Sequence, residues 1–249
     1  MNWILPAVFS TSLVNLVLIL VYYYIYRIYQ EKSFFLWLWS WIFYLIRFIF
    51  AILLIILGDH PFLYFFNQFF TLLSAGVFLW GTMEFFEKKL NYSWFYLIIL
   101  FSFWIIFALY EKLSFLLLTL PVFSVFGIIY IYIGILFFKK IHSDFFEKYL
   151  LSILFILWGV HKIDYPFLKP VGWFAPIGYA IGAFLEFSVA IVIVLFYLRR
   201  ISEKLSESEN NLKITFEQAG IGMVQFSAEG KIIYSNPQFY KILRINSLN

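Results

Sequence analysis

Apolar residues run almost without interruption from Trp3 to Leu198, broken only by short polar stretches, and the pattern changes abruptly at Arg199-Arg200. A hydrocarbon core about 30 Å thick needs about 20 apolar residues per helix. Runs of that length are predicted over Trp3 to Tyr26, Ser33 to Leu57, Phe62 to Phe86, Ser93 to Tyr110, Phe115 to Phe138, Tyr149 to Phe167 and Val171 to Leu198. Pro61 and Pro170 fall at helix starts, and Pro121 and Pro176 are expected as kinks, since lipid tolerates only internally satisfied backbone.

The polar breaks alternate in charge. Arg27, Lys32, Lys88, Lys89, Lys139, Lys140, Lys148, Arg199 and Arg200 occupy one set, whereas the other holds only Lys112 and Lys169. Basic residues stay on the cytoplasmic side of short loops, so the pattern predicts an outside N-terminus and an inside C-terminus. Miscounting one helix would scramble this alternation.

Beyond Leu198 the chain reads RRISEKLSESE, polar and helix-favouring, with Leu198, Leu205 and Leu212 one heptad apart and Ile201 at a d position. A parallel dimeric coiled coil uses such a stripe; with Ser208 and Thr215 at the other d positions, a lone amphipathic helix is the alternative. Gly222 to Ser227 then alternates like a strand, Ala228-Glu229-Gly230 reads as a turn, Lys231 to Ser235 as a second strand, and Asn236-Pro237 as a helix start.

Composition agrees with this reading. The 249 residues are 63% hydrophobic and 24% aromatic with only 13% charged, against about 25% charged in a soluble domain. The expected fold class is therefore an all-α polytopic membrane protein with seven transmembrane helices (1–198), a helical linker (199–217) and an α+β segment (218–249). Trp3 to Tyr26 is too long for a cleaved signal peptide and lacks a basic start. With no cysteine, disulfides and thiolate metal sites do not arise.

Charged groups inside a bilayer are functional candidates because they are costly unless paired or solvated. Here they are Arg47, His161, Lys162, Asp164 and Glu186, with Asn15, Asn67 and Gln68 as uncharged companions. At about 1.5 Å per residue, His161 and Asp164 lie roughly 10 and 6 Å below the outer end of their helix, Arg47 roughly 15 Å and Glu186 roughly 22 Å. His161 and Asp164, three apart, share a face; Lys162 is turned about 100° from them and is expected to snorkel outward.

Two readings remain open. In one, Arg47, His161, Asp164, Glu186, Asn67 and Gln68 form a ligand pocket open to the exterior, with Arg47 for an anionic group and His161 with Asp164 as an orienting or proton-sensing pair. In the other, Arg47 pairs with Glu186 or Asp164 as interhelical glue. His60 with His161 raises a metal possibility, against which Asp59 or His60 serves as the cap of a helix begun by Pro61. The aromatic abundance fits interfacial belts and packing, and Lys139-Lys140 with Arg199-Arg200 would meet anionic membrane lipid. A retinal lysine is absent from Val171 to Leu198, and no phosphate loop, nucleophile elbow, zinc helix or cyclase motif appears.

The stretch Leu212 to Leu243, LKITFEQAGIGMVQFSAEGKIIYSNPQFYKIL, resembles the start of a PAS domain, through Ala219, Gly220, Gly222, Gly230, Asn236 and Phe239. The membrane region is similar to seven-helix sensory regions that precede PAS, GGDEF or histidine kinase modules in bacteria, through Trp158 to Leu168 (WGVHKIDYPFL), Trp173 and Gly178-Tyr179. These resemblances imply a multi-pass sensor of the bacterial inner membrane, homodimeric, that relays an external or membrane-borne signal. They also imply an output domain beyond these residues, a diguanylate cyclase or next a histidine kinase, so that the chain itself carries no enzyme. They name no cofactor, no small-molecule signal and no nucleic-acid partner. A seven-helix transporter or channel with a cytosolic tail is the contrasting expectation.

Overall fold

A computed structural model describes residues 3–141 and 146–244. Its helices are α1 (Ile4–Tyr29), α2 (Lys32–Leu57), α3 (Pro61–Phe85), α4 (Ser93–Tyr110), α5 (Phe115–Lys140), α6 (Phe146–Leu168) and α7 (Ala175–Gln218), followed by β1 (Val224–Phe226), β2 (Ile232–Ser235) and α8 (Pro237–Leu243). All seven of the long helices have the length and apolarity to cross a membrane, as expected of a multi-pass membrane protein. The seventh begins four residues later than its apolar run, because Val171 to Phe174 forms turns in which Val171 O accepts from Phe174 N and Ala175 N. Pro176 consequently sits in the first turn of α7, where its missing N–H costs nothing, and is not a kink. The chain divides into two compact units, Met1–Val194 and Leu195–Asn249.

In lipid, apolar side chains gain little by leaving the surroundings, so helices associate through close packing and polar contacts. The α2–α3 pair shows the polar part. Asn67 Nδ2 donates to Arg47 O (2.9 Å), Ser40 Oγ to Ser74 O (2.8 Å), and the Trp37 indole N–H to Phe78 O (3.2 Å). These three ties pin two antiparallel helices, joined through Gly58 at φ +84°, in one register. The Lys32–Glu84 ion pair (2.9 Å) closes the end opposite Gly58. There Lys88, outside the helices, is held below the ordinary lysine range by its hydrogen-bonding contact with Lys140 and that group's charge.

The α5–α6 pair shows the packing part. A methyl on Gly159 would lie 2.6 Å from Gly127 O and 3.0 Å from Ile131 N, and one on Gly134 would lie 2.8 Å from Ser152 O. Small residues seven apart on each helix therefore let the backbones touch. Above this seam the interior is aromatic: Trp158 stacks on Tyr130 (4.1 Å) and Trp41 (6.0 Å), and Phe78 packs edge-on to Tyr130 and Phe155.

The second unit is organised by one side chain. Asn236, wholly buried, accepts from Met223 N (2.8 Å) and Phe239 N (3.0 Å) and donates to Phe216 O (3.1 Å) and Ile221 O (2.8 Å). It thus fastens the end of α7, the β1–β2 hairpin and the start of α8 together. Gly222 faces Phe239 Cα so closely that a Cβ would come within 2.9 Å. Gly230 turns the hairpin at φ +80°. Leu198, Leu205 and Leu212 are 42%, 59% and 69% exposed, so the heptad stripe is uncovered along the linker part of α7.

Gly159→Ala should cost about 1–3 kcal/mol as overpacking and lower the detergent melting temperature, while Gly172→Ala, whose Cβ meets nothing within 4 Å, should leave it unchanged; equal melting points would remove the seam from the account. Asn236→Ala strands buried backbone groups at about 1–3 kcal/mol each, and should abolish hydrogen-exchange protection across 223–239 while protection in α5 and α6 persists.

Candidate functional site

Buried charge converges where α2, α6 and α7 meet. Arg47 projects from the buried face of α2 and is 2% exposed. Its guanidinium carbon lies over the rings of Phe48 (4.6 Å), Tyr44 (5.3 Å), Phe123 (5.6 Å) and Tyr165 (5.8 Å). Cation–π attraction of this kind is worth about 2 kcal/mol or more when desolvated. No carboxylate among the described residues reaches it as an ion pair, and its Nε–H has no hydrogen-bond partner. The expected pairing of Arg47 with Glu186 or Asp164 is therefore not made; aromatic faces take the place of a counter-ion.

Lys162 does not snorkel. Instead of reaching outward it is 7% exposed, donating from Nζ to Tyr44 Oη at 2.7 Å, with the rings of Tyr44, Trp158 and Phe126 5.3 to 5.5 Å away. The 100° turn from His161 faces the bundle interior, because α6 is packed on α5 along Gly159 and its lipid side is taken by Leu157 and Val160. Lys162 also feels the charges of Arg47, Glu186 and Asp164.

His161 behaves as its spacing predicts. Its Nε2 is 3.0 Å from Gly178 O, and its Nδ1 is 3.3 Å from Asp164 Oδ1. A carbonyl only accepts, so Nε2 carries the proton. Helices α6 and α7 come this close because a Cβ on Gly182 would already be 3.4 Å from His161 Nε2. Tyr165 and Tyr179 complete the contact, hydroxyl to hydroxyl at 3.3 Å.

These groups enclose a cavity of about 30 Å³ whose walls include Thr11, Tyr44, Arg47, His161, Lys162, Asp164, Lys169, Gly178 and Gly182. The space is that of about two water molecules. Its lining sets three cations and a histidine against one carboxylate, an arrangement that attracts anions. Arg47, His161 and Asp164 are thus brought together.

The other three predicted residues are placed elsewhere. Glu186, fully buried, accepts from Asn15 Nδ2 at 2.7 Å. Glu186 Oε2 and Asn15 Oδ1 have no partner. Both residues sit one helical turn beyond cavity-lining neighbours, Gly182 and Thr11. Asn67 and Gln68 serve the α2–α3 contact, with Gln68 Nε2 donating to Asn67 Oδ1 at 3.3 Å, and they do not line the cavity.

His60 is exposed at the head of α3 and is not among the residues around His161's cavity. Neither residue of the expected cap acts as one: His60 makes no side-chain cap bond, and Asp59 Oδ1 instead accepts from Tyr64 Oη at 2.9 Å. No cluster of three or more His, Cys, Asp or Glu suited to a metal occurs among the described residues.

Sequence reasoning did not find the aromatic cage, the buried state of Lys162 or the Asn15–Glu186 pair. The last had a signal. Asn15 lies about 18 Å below the start of the first run at 1.5 Å per residue, near the depth of Glu186, and on the face marked by Val8, Thr11, Leu18 and Tyr22.

No family model, curated protein or solved structure matches the chain.

Asn15→Leu alone leaves Glu186 buried without its donor and should destabilise the bundle by about 1–3 kcal/mol. The double variant Asn15→Leu/Glu186→Leu should recover most of that loss, as read from detergent melting of the four proteins in the cycle. Additive losses would show that the pair is uncoupled.

Proposed function

We propose that the seven-helix region is a sensor and that α7 carries its output. The observation behind this reading is the continuity of α7. The helix that lines the cavity with Ala175, Gly178, Tyr179 and Gly182 runs unbroken to Gln218, about twice the length a hydrocarbon core requires. The cavity-lining residues and the heptad stripe thus belong to one helix.

In this reading Arg47, Lys162 and His161 receive an anionic group in competition with the aromatic cage and with Asp164. Binding shifts a two-state equilibrium by the difference in affinity between the states. The bistable element is the Leu198, Ile201, Leu205 and Leu212 stripe, paired in a parallel homodimer and altered in register or rotation. The polar end bearing Arg27, Lys32, Lys88, Lys139 and Lys140 faces the cytoplasm by the distribution of basic residues, which sets the N-terminus outside. The hairpin and helix that follow are the opening of a PAS domain, with Asn236 and Gly222 as its locking residues, and the output is a diguanylate cyclase or a histidine kinase carried by the parent protein.

A transporter is the competing reading, favoured by the intramembrane Asn15–Glu186 and Lys162 groups. Substrate flux in proteoliposomes with no change in the linker would support it.

The absence of native cysteine makes the linker directly testable. Leu198→Cys, Leu205→Cys and Leu212→Cys should each form a disulfide-linked dimer in membranes, whereas Glu203→Cys, at an outward f position, should not. In the parent protein, one residue inserted after Leu205 should change output sharply and seven should not. Indifference of cross-linking to position, or equal effects of the two insertions, would sink heptad coupling.

A further inference from the structure

A second hollow adjoins the cavity. It is an open groove along α6 and α7, walled by Leu157, Val160, Ile181 and Phe184, and it shares His161, Asp164 and Phe174 with the cavity. Leu157 and Val160 are each 50% exposed and Phe184 67%. In a spanning segment such a groove meets acyl chains rather than water. The two hollows share three wall residues, with an apolar groove at the lipid face on one side of them and buried cations on the other.

We propose that these two hollows take a single-chain amphiphile with a carboxylate head, a long-chain carboxylic acid reaching the protein from within the bilayer. The assignment rests on the sensory reading and gives its signal a chemical class. The carboxylate enters the cavity and accepts from the guanidinium of Arg47, whose Nε–H is a buried donor without a partner, and from Lys162, in charge-assisted hydrogen bonds. The chain lies in the groove against Leu157, Val160, Ile181 and Phe184.

Charge, size and continuity select this occupant. Asp164, the one acid among the lining residues, stands against Arg47, Lys162 and Lys169, so the balance of charge still favours an incoming anion. A space of about 30 Å³, near two waters, suits a small head such as a carboxylate. Because His161, Asp164 and Phe174 border both hollows, head and chain would pass between these residues. On α7 the head bears on Gly178 and Gly182, where no side chain cushions the backbone.

The test is equilibrium binding of radiolabelled dodecanoate to the full chain in phosphatidylcholine nanodiscs, with dodecanol, dodecyl phosphate and acetate as comparators. Dodecanoate should bind saturably and about tenfold tighter than dodecanol, while acetate at equal concentration should not displace it. Arg47→Gln should weaken dodecanoate about tenfold and leave dodecanol unchanged. Ile181→Trp, which fills the groove from the lipid face and spares the bundle interior, should weaken dodecanoate as well and carries the test if Arg47→Gln does not fold.

Non-saturable uptake equal to that of dodecanol, or normal binding by both variants, overturns the proposal. Displacement by acetate as effective as by dodecanoate removes the groove, and tighter binding of dodecyl phosphate replaces the carboxylate with phosphate. Dodecanoate binding that leaves Leu205→Cys cross-linking unchanged counts against the relay and not the ligand; cross-linking altered by another compound, with no dodecanoate binding, counts against the ligand and not the relay.

Discussion

Two positive charges inside an aromatic box govern the membrane unit. Moving an ammonium-sized ion out of water into the bilayer interior costs several kcal/mol even after relaxation, and no carboxylate forms an ion pair with Arg47 among the described residues. Ring faces supply the compensation. Tyr44 is shared, with its ring under both cations and its hydroxyl accepting from Lys162. This requirement explains why Trp158, Tyr130, Tyr44, Phe126 and Tyr165 are packed inward in a protein that could leave such residues in lipid.

The box depends in turn on backbone proximity. Gly127 against Gly159 brings α5 to α6, so that Phe123 and Phe126 reach the cations on α2 and α6. Gly178 and Gly182 bring α7 to His161, so that the helix continuing toward the hairpin forms one wall of the cavity. Small residues here are the condition for the charged ones to be tolerated. The pair Asn15–Glu186 follows the same logic one turn further along α7, a carboxylate retained only because an amide on α1 meets it.

The segment WGVHKIDYPFL condenses these roles. Trp158 enters the aromatic core, Gly159 the helix seam, Val160 the lipid-facing groove, His161 and Asp164 the α7 contact, Lys162 the cage and Tyr165 the stack on Phe123 at 4.2 Å. Consecutive residues point in different directions, and nearly every direction is used. In the second unit Asn236 concentrates roles differently: one amide side chain binds four backbone groups, of which only the cap to Phe239 N was legible from its place before Pro237.

The number and approximate span of the membrane helices, the helical linker, the hairpin and the Asn236 start were determined by the sequence, because hydrophobic length, heptad spacing and turn residues are properties of neighbouring positions. The His161–Asp164 contact was legible for the same reason, being three residues apart on one helix. Tertiary structure alone decided which helices touch, and hence that Arg47 meets rings instead of Glu186, that Lys162 turns inward and that Asn67 and Gln68 belong to the α2–α3 seam. Depth along a helix can be counted from the chain, but rotation and neighbour are set by packing across distant segments, where a single glycine contact decides which face of α6 sees protein and which sees lipid.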